Sequence, residues 1–281
     1  MSINTNRRNF LKKGGLLCAT TIAAGSFPLK IHYAATKNFE LQLGLASYTT
    51  RSFSLDETIL IANRLELKNI SIKDTFHLPI NSSVEELKAG SRKIIDAGLN
   101  FYGGGVFYMK KPEDVNRVFN YAKITGIGTI IGATTPDLLS LVNEKIKEYG
   151  IIVAIHNHGP EDKIFPTPES VYSVIKNFDP RFGLCIDLGH TQRCGVDPAI
   201  DILRYADRIF DLHLKDVTSS TADGKEIEIG RGVINIPEVI RALKEINYKY
   251  IASFEFEKDK NNLLPGLAES VGYVRGILAS Q

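Results

Sequence analysis

The chain has 281 residues and a nearly balanced charge, with 34 Lys and Arg against 32 Asp and Glu for a net charge of +2. Apolar residues make up 43% and charged residues 23% of the composition, values that exclude disordered and low-complexity proteins. Three cysteines are too few for a disulfide-rich scaffold, and no apolar run reaches the roughly 18–20 residues of a transmembrane helix.

The N-terminus has the layout of an export signal. Residues 5–13 are basic, and residues 14–26 form a short apolar stretch rich in small residues. The run Arg-Arg-x-Phe-Leu-Lys that starts at Arg7 resembles the twin-arginine signal. We therefore predict that residues 1–35 are a signal peptide with its flank, and that the mature chain is periplasmic or otherwise exported. The alternative is a basic, disordered tail.

Removing residues 1–35 changes the charge of the protein. This segment carries five Lys and Arg and no acid, so the remaining residues have a net charge near −3. Nucleic-acid binding depends on clustered positive charge. We therefore expect no nucleic-acid partner, and no stable membrane span once the signal is removed.

Short apolar runs alternate with amphipathic segments after residue 38. The predicted strands are Leu41–Ser47, Lys68–Lys73, Asn100–Val106, Thr129–Gly132, Ile151–His156, Gly183–Asp187, Ile209–Leu214 and Ile251–Phe256. The predicted helices are 56–66, 84–97, 112–125, 136–149, 167–177, 198–206 and 236–246. A long loop is expected at about 216–236.

Strands separated by helices pair in parallel. Eight such units fit a single-domain α/β fold, a (β/α)8 TIM barrel over residues 36–281. A doubly wound open sheet is less favoured, because no G-x-G-x-x-G motif follows the first strand.

Imidazoles and acids gather at the carboxyl ends of the predicted strands, where the active site of such a barrel lies. Side chains two residues apart along a strand share a face, which places acids and imidazoles of four consecutive strands together. The predicted metal ligands are His156, Asp187, His213 and Glu255, with His158 or Glu257 as substitutes. For any one histidine, a hydrogen-bonded structural role is the alternative.

Burying these ionisable groups without partners would be costly, whereas a divalent cation would stabilise them. Mixed nitrogen and oxygen ligands suit Mn, Zn, Co, Ni or Fe(II) better than Ca. Cys185 could also bind zinc, but it lies one layer below Asp187 and is expected to be a small core residue.

Three short segments carry a family resemblance. Ile155-His156-Asn157-His158-Gly159, Cys185-Ile186-Asp187-Leu188-Gly189-His190 and Leu212-His213-Leu214-Lys215-Asp216 resemble the xylose isomerase-like barrels, the group of sugar phosphate isomerases and epimerases. Phe254-Glu255 resembles the acid of their last strand. The resemblance covers the chain after the signal.

The resemblance implies one divalent metal bound by Glu, Asp, His and Glu. Asp187, His213 and Glu255 match three of these ligands, but His156 stands where the family's ketose epimerases have Glu. In those epimerases the Glu at this position also serves as an acid/base catalyst. A metal-bound His156 cannot fill that role in the same way, so His158 and Glu161 become the candidate bases beside Glu255. His190 resembles the family's substrate-contacting histidine, and Tyr48, Lys73 and His77 are expected to contact sugar hydroxyls.

The expected reaction is metal-dependent proton abstraction next to a sugar carbonyl, followed by isomerisation or epimerisation. Lys73 or Lys215 could stabilise the resulting oxyanion, or simply form ion pairs with Asp74 or Asp216. A 3-keto-glycoside lyase or hydratase would share the first step. Two functions of a different class are a non-catalytic periplasmic sugar-binding module and an endonuclease IV-like phosphodiesterase, which the negative charge disfavours. The substrate partner is a small sugar or keto-glycoside, and homo-oligomer formation stays open.

Overall fold

Eight parallel strands close into a barrel in this computed structural model, which describes residues 39–280. In chain order, the described residues form the barrel strands and one further pair: β1 (Gln42–Ala46), β2 (Asn69–Ile72), β3 (Asn100–Met109), β4 (Thr129–Thr134), β5 (Ile152–His156), β6 (Phe182–Asp187), β7 (Ile209–Leu214), β8 (Asp216–Val217), β9 (Glu226–Ile227) and β10 (Ile251–Phe254). Around the barrel the order is β1-β10-β7-β6-β5-β4-β3-β2, and β8 and β9 form a separate antiparallel pair. The predicted TIM barrel is confirmed, whereas the predicted signal peptide lies outside the described residues.

Helices follow most of the barrel strands. They are α1 (Leu55–Arg64), α2 (Val84–Asp96), α3 (Pro112–Thr125), α4 (Leu139–Tyr149), α5 (Pro168–Ile175), α6 (Leu188–Arg193), α7 (Pro198–Arg204), α8 (Ile236–Glu245) and α9 (Leu264–Ser280). Short 3-10 turns occupy Ser47–Thr50, Pro136–Leu138 and Ala206–Arg208. Within residues 39–280, no helix is both long and apolar enough to cross a bilayer.

Local sequence signals explain where several helices begin and end. Ser54 and Ser83 each start a helix with a capping box, in which the serine side chain and a glutamate three residues later satisfy each other's backbone N–H. Gly126 and Gly150 end α3 and α4 in the left-handed conformation that glycine adopts most easily.

The main differences from the predicted elements lie in β3, α6 and α9. Strand β3 continues three residues beyond its predicted end at Val106, to Met109, because Phe107 and Met109 still bury their side chains. Helix α6 was missed because it has only six residues. Helix α9 was also missed, since the glycines within it interrupt its apolar pattern.

The predicted loop at about 216–236 contains the β8–β9 ribbon and is tied to the barrel by Asp216. Each oxygen of this buried carboxylate accepts two backbone N–H groups: Oδ1 from Val217 and Ile234 at 2.9 and 3.1 Å, and Oδ2 from Gly230 and Gly232 at 2.9 and 3.0 Å. The charge of one side chain therefore fixes both ends of the loop.

The floor of the barrel depends on a small residue in β6. The register between β6 and β7 shifts so that Phe210 is an extra residue, and its ring packs with Cys185 and Ile131 inside the barrel. A Cβ at Gly183 would lie 2.1 Å from the carbonyl oxygen of Arg208 and 2.4 Å from Cδ2 of Phe210. Glycine is therefore required here for space.

We expect Gly183→Ala to lower the free energy of unfolding by roughly 2–4 kcal/mol, because the added methyl group meets backbone that cannot move away. Urea denaturation followed by circular dichroism measures the effect. Gly272→Ala is the matched control: this exposed position of α9 has no atom within 4 Å of the added Cβ. The control should gain about 0.5–1 kcal/mol, since alanine favours helix over glycine. Equal changes in both variants would contradict the packing argument.

Candidate metal centre

Four buried side chains converge at the carboxyl ends of four neighbouring strands. His156 ends β5, Asp187 ends β6, His213 lies in β7 and Glu255 follows β10. One ligand atom from each residue lies within 4.8 Å of all the others. The structure thus brings together the four residues that the sequence predicted as the metal shell.

The distances within this cluster are short. His213 Nδ1 lies 3.1 Å from His156 Nε2 and 3.0 Å from Glu255 Oε2, and His156 Nε2 lies 3.4 Å from Asp187 Oδ2. Asp187 Oδ2 is buried and accepts no hydrogen bond, although it forms an ion pair with Lys215 Nζ at 3.2 Å. Two imidazoles and two carboxylates at this spacing form a donor set that fits a divalent transition metal.

Opposing effects set the protonation of the two imidazoles. Burial lowers the pKa of His156 to about 3, so this ring is neutral and can act as a ligand. Burial also lowers the pKa of His213, but Glu255, Asp211 and Asp187 outweigh it and raise the value to about 9. A proton on His213 and a divalent cation would therefore compete for the same carboxylates.

Contacts below the cluster fix the orientation of its ligands. Asp187 Oδ1 accepts the N–H of His190 at 2.8 Å and so caps α6, which leaves Oδ2 facing the cluster. His213 Nε2 lies 3.5 Å from Asp211 Oδ2, and the Tyr102 hydroxyl donates to Asp211 Oδ1 at 2.8 Å. Such partners hold a metal-binding histidine in one orientation.

Asn157 connects two of the ligand strands, a role that sequence reasoning missed. Its Oδ1 accepts the N–H of Asp187 at 3.0 Å, and its Nδ2 donates to Thr191 Oγ1 at 3.1 Å. The middle residue of the His-Asn-His segment therefore points away from its two histidines and ties the end of β5 to β6. The alternation of side chains between the two faces of a strand could have predicted this orientation of Asn157.

The two predicted lysines have different partners. Buried Lys215 Nζ lies 3.2 Å from Asp187 Oδ2, 2.8 Å from Glu255 Oε2 and 2.5 Å from Glu257 Oε1. The alternative ion pair of Lys215 with Asp216 does not form, because Asp216 holds the loop backbone instead. Lys73 does pair with Asp74, at 3.0 Å.

A cavity of about 190 Å³, here called the inner cavity, opens directly above the ligand cluster. Its lining residues are Tyr48, Lys73, Val106, Tyr108, His156, His158, His190, Glu255 and Glu257. Three of the expected substrate contacts, Tyr48, Lys73 and His190, therefore face it. Tyr108 was not anticipated, because the predicted third strand stopped at Val106.

His158 and Glu161 occupy different environments. Half-buried His158 has Nε2 at 3.4 Å from the Tyr108 hydroxyl and Nδ1 at 3.6 Å from Asp162 Oδ2. Burial and the neighbouring His190 lower its pKa, which favours the neutral ring. Glu161 is exposed, pairs with Arg193 and does not line the inner cavity.

His77 does not reach the inner cavity. Its Nδ1 lies 3.0 Å from Ser47 Oγ and its Nε2 lies 3.1 Å from the Thr50 carbonyl oxygen. Both ring nitrogens thus support the turn after β1, and the expected sugar contact has no free ring nitrogen to form it. Cys185 lies in the barrel interior and donates its thiol to Asp211 at 3.3 Å.

Glu226, in the loop between β7 and α8, is a further acid near the inner cavity that the sequence analysis did not predict. Glu226 of β9 accepts the N–H of Glu257 at 2.7 Å, and burial raises its pKa to about 8. No sequence signal pointed to this residue, since loop folding alone brings it to the barrel mouth.

Comparison with known proteins places these residues in a sequence family. The sequence model for the xylose isomerase-like TIM barrel matches residues 137–277. The rhizopine catabolism protein MocC of Rhizobium meliloti is 27% identical over 145 residues, which are 46% of this chain and 44% of MocC. Uncharacterized protein MJ1311 of Methanocaldococcus jannaschii is 31% identical over 120 residues, which are 42% of this chain and 41% of MJ1311. The chain thus spans less than half the length of either relative.

Solved structures share the fold at low sequence identity. An L-ribulose 3-epimerase superposes with a TM-score of 0.69 at 16% identity, covering 86% of this chain and 95% of its own. The IolI protein, solved with a zinc atom, gives 0.69 at 16%, covering 85% and 97%. The 3-keto-D-glucoside 4-epimerase YcjR of E. coli gives 0.65 at 14%, covering 84% and 100%.

Proposed function

This chain belongs to the xylose isomerase-like TIM barrel family, and on that basis we propose that it is a divalent-metal-dependent sugar isomerase or epimerase. The reaction would remove a proton next to a sugar carbonyl. One observation carries the proposal: four buried ligand atoms lie within 4.8 Å of one another, directly below a cavity lined by polar side chains. A sugar-binding module would not need this ligand set.

His156, Asp187, His213 and Glu255 would hold the metal. When bound, the metal would act as a Lewis acid that makes the C–H group beside the carbonyl more acidic. Its identity among Mn, Zn, Co, Ni and Fe(II) stays open. Lys215 keeps Asp187 and Glu255 ionised by contacting both carboxylates.

His158 is the proposed base. Its ring lies at the edge of the inner cavity with centroids 4.5 Å from His156 and 6.1 Å from His190, so a sugar above the cluster would meet it. Glu161 is less suited, because Arg193 neutralises it outside the inner cavity. Tyr108, Tyr48 and Lys73 would hydrogen-bond the sugar, and Lys73 could also stabilise the developing oxyanion.

We expect the metal-loaded protein to exchange the proton α to the carbonyl of its substrate for deuterium. Proton NMR in D2O with a panel of ketoses, aldoses and 3-keto-glycosides measures the exchange. His158→Gln should slow the exchange by about 10²–10⁴-fold while the bound metal per chain stays unchanged, because His158 is not one of the four ligands. Binding of a sugar without any exchange across the panel would identify a binding module and overturn the proposal.

A 3-keto-glycoside lyase or hydratase is the second candidate. The observation that favours it is a larger cavity beside the inner one, which leaves room for a substituent on the sugar. Loss of that substituent in the same NMR experiment would distinguish it from epimerisation. We also propose that residues 1–35 export the protein, which cell fractionation would test.

A further inference from the structure

The loop that follows β5 places the carboxylate of Asp162 beside the ring of His158. Asp162 Oδ2 lies 3.6 Å from His158 Nδ1, and both side chains are mostly buried. We infer that Asp162 is a positioning residue, which fixes the tautomer and the orientation of the proposed base so that His158 Nε2 can take a proton from the substrate. The inference rests on the proposed function, because it assumes that His158 is the base.

Backbone hydrogen bonds hold Asp162 at this place in the loop. Its N–H donates to the Gly159 carbonyl oxygen at 3.0 Å, and its Oδ1 accepts the N–H groups of Ile164 and Phe165 at 2.7 and 3.2 Å. His158 is tied to the same loop, since its N–H donates to the Phe165 carbonyl oxygen at 3.0 Å. Because the backbone engages Oδ1, Oδ2 is the oxygen that faces the imidazole.

The other ring nitrogen of His158 lies beside a hydroxyl in the wall of the inner cavity. The Tyr108 hydroxyl is 3.4 Å from His158 Nε2, and both residues line the inner cavity, whereas Asp162 does not. An ionised carboxylate only accepts hydrogen bonds, so Asp162 favours the tautomer in which Nδ1 carries the proton. Nε2 then has a free lone pair, which accepts from Tyr108 until a substrate displaces this long contact.

The carboxylate also stabilises the charge that the reaction would create on the ring. When Nε2 takes the proton beside the carbonyl, the C–H electron pair stays with the substrate as its enolate, and the ring becomes an imidazolium. The Asp162 carboxylate then faces this positive charge. The proton leaves Nε2 for the substrate or for water before the next turnover. A separation of 3.6 Å is slightly longer than a hydrogen bond, and such contacts shorten when the substrate binds.

The adjacent acid of the loop is directed elsewhere. Glu161 is exposed and forms an ion pair with Arg193, so its charge is compensated at the surface. The two consecutive acids therefore differ in their surroundings. The backbone N–H groups that hold Asp162, rather than a general excess of negative charge, select the carboxylate that faces His158.

Nitrogen-15 NMR of histidine-labelled protein, recorded with and without Zn²⁺, tests the tautomer directly. Burial lowers the pKa of His158, so the ring is neutral at about pH 8. Comparison with His158→Gln identifies its signals, because this variant lacks both nitrogens of the ring. We expect Nδ1 to be protonated and Nε2 to be unprotonated in both samples. A ring protonated on Nε2 would overturn the inference.

Asp162→Asn tests the consequence for the reaction. The side-chain oxygen must stay with the N–H groups of Ile164 and Phe165, so the amide NH2 faces His158 Nδ1 and can only donate to it. The ring proton should therefore move to Nε2. We expect kcat to fall about 100-fold and KM to change by less than about threefold. Bound metal per chain should stay unchanged, because Asp162 is not one of the four ligands.

Asp197→Asn serves as the control, since Asp197 Oδ1 also accepts a backbone N–H, that of Ala199 at 2.9 Å, but lies outside this loop. The control should keep the wild-type tautomer of His158 and the wild-type kcat. An unchanged kcat in Asp162→Asn, or a loss confined to KM, would overturn the inference. The expected tautomers without deuterium exchange on any sugar would instead overturn the proposed reaction alone.

Discussion

Asp187→Asn is expected to abolish metal binding and turnover while the barrel stays folded. The amide oxygen can still accept the N–H of His190 and cap α6, so the local backbone keeps its hydrogen bond. The negative charge that faces His156 and Lys215 is lost, and a neutral amide is a poor metal ligand. We expect metal affinity and deuterium exchange each to fall by at least ~100-fold.

Bound metal is measured by elemental analysis after dialysis, and folding by circular dichroism. Asp197→Asn is the matched control, since Asp197 caps α7 by the same type of contact, with the N–H of Ala199, outside the ligand cluster. The control should keep its metal and its activity. If Asp187→Asn retained both, the metal-site assignment would be wrong.

The second large effect concerns stability. Asp216→Asn should lower the free energy of unfolding by roughly 3–5 kcal/mol, because the amide nitrogen must face two backbone N–H groups whichever way the side chain is turned. Two charge-assisted hydrogen bonds are lost, and the part-buried N–H groups of Gly230 and Gly232 are left unpaired when the amide nitrogen takes the Oδ2 position. Urea denaturation measures the loss, and hydrogen exchange locates it in residues 217–234.

Asp223→Asn is the control for the same loop. Asp223 is exposed, and its carboxylate contacts the Thr221 hydroxyl and its own backbone N–H, so it does not tie distant parts of the loop together. This variant should change stability by less than about 0.5 kcal/mol. A loss below about 1 kcal/mol for Asp216→Asn would show that the carboxylate does not anchor the loop.

The barrel and the residues of its ligand cluster could be predicted because both follow from periodicity. Strand alternation places Asp211, His213 and Lys215 on one face, and strand order places Asp187 and Glu255 beside them. No long-range detail is needed for either step.

The rest depends on how loops and longer strands fold, which local patterns do not encode. Tyr108 was missed because the predicted strand ended at Val106, two residues short of it, and Glu226 because its loop carries no motif. His77 was expected to contact sugar, but hydrogen bonds from the turn after β1 occupy its ring. The partners of a polar side chain are set by tertiary structure.

The ammonium group of Lys215 has a consequence for how the proposed metal would be bound. A permanent positive charge within 3.2 Å of Asp187 and Glu255 stabilises these acids whether or not an ion is bound. The barrel would therefore not need the proposed metal in order to fold, and a bound metal could exchange with the surrounding pool without unfolding. The metal found in the isolated protein would then reflect the supply in its compartment as much as the selectivity of its ligands.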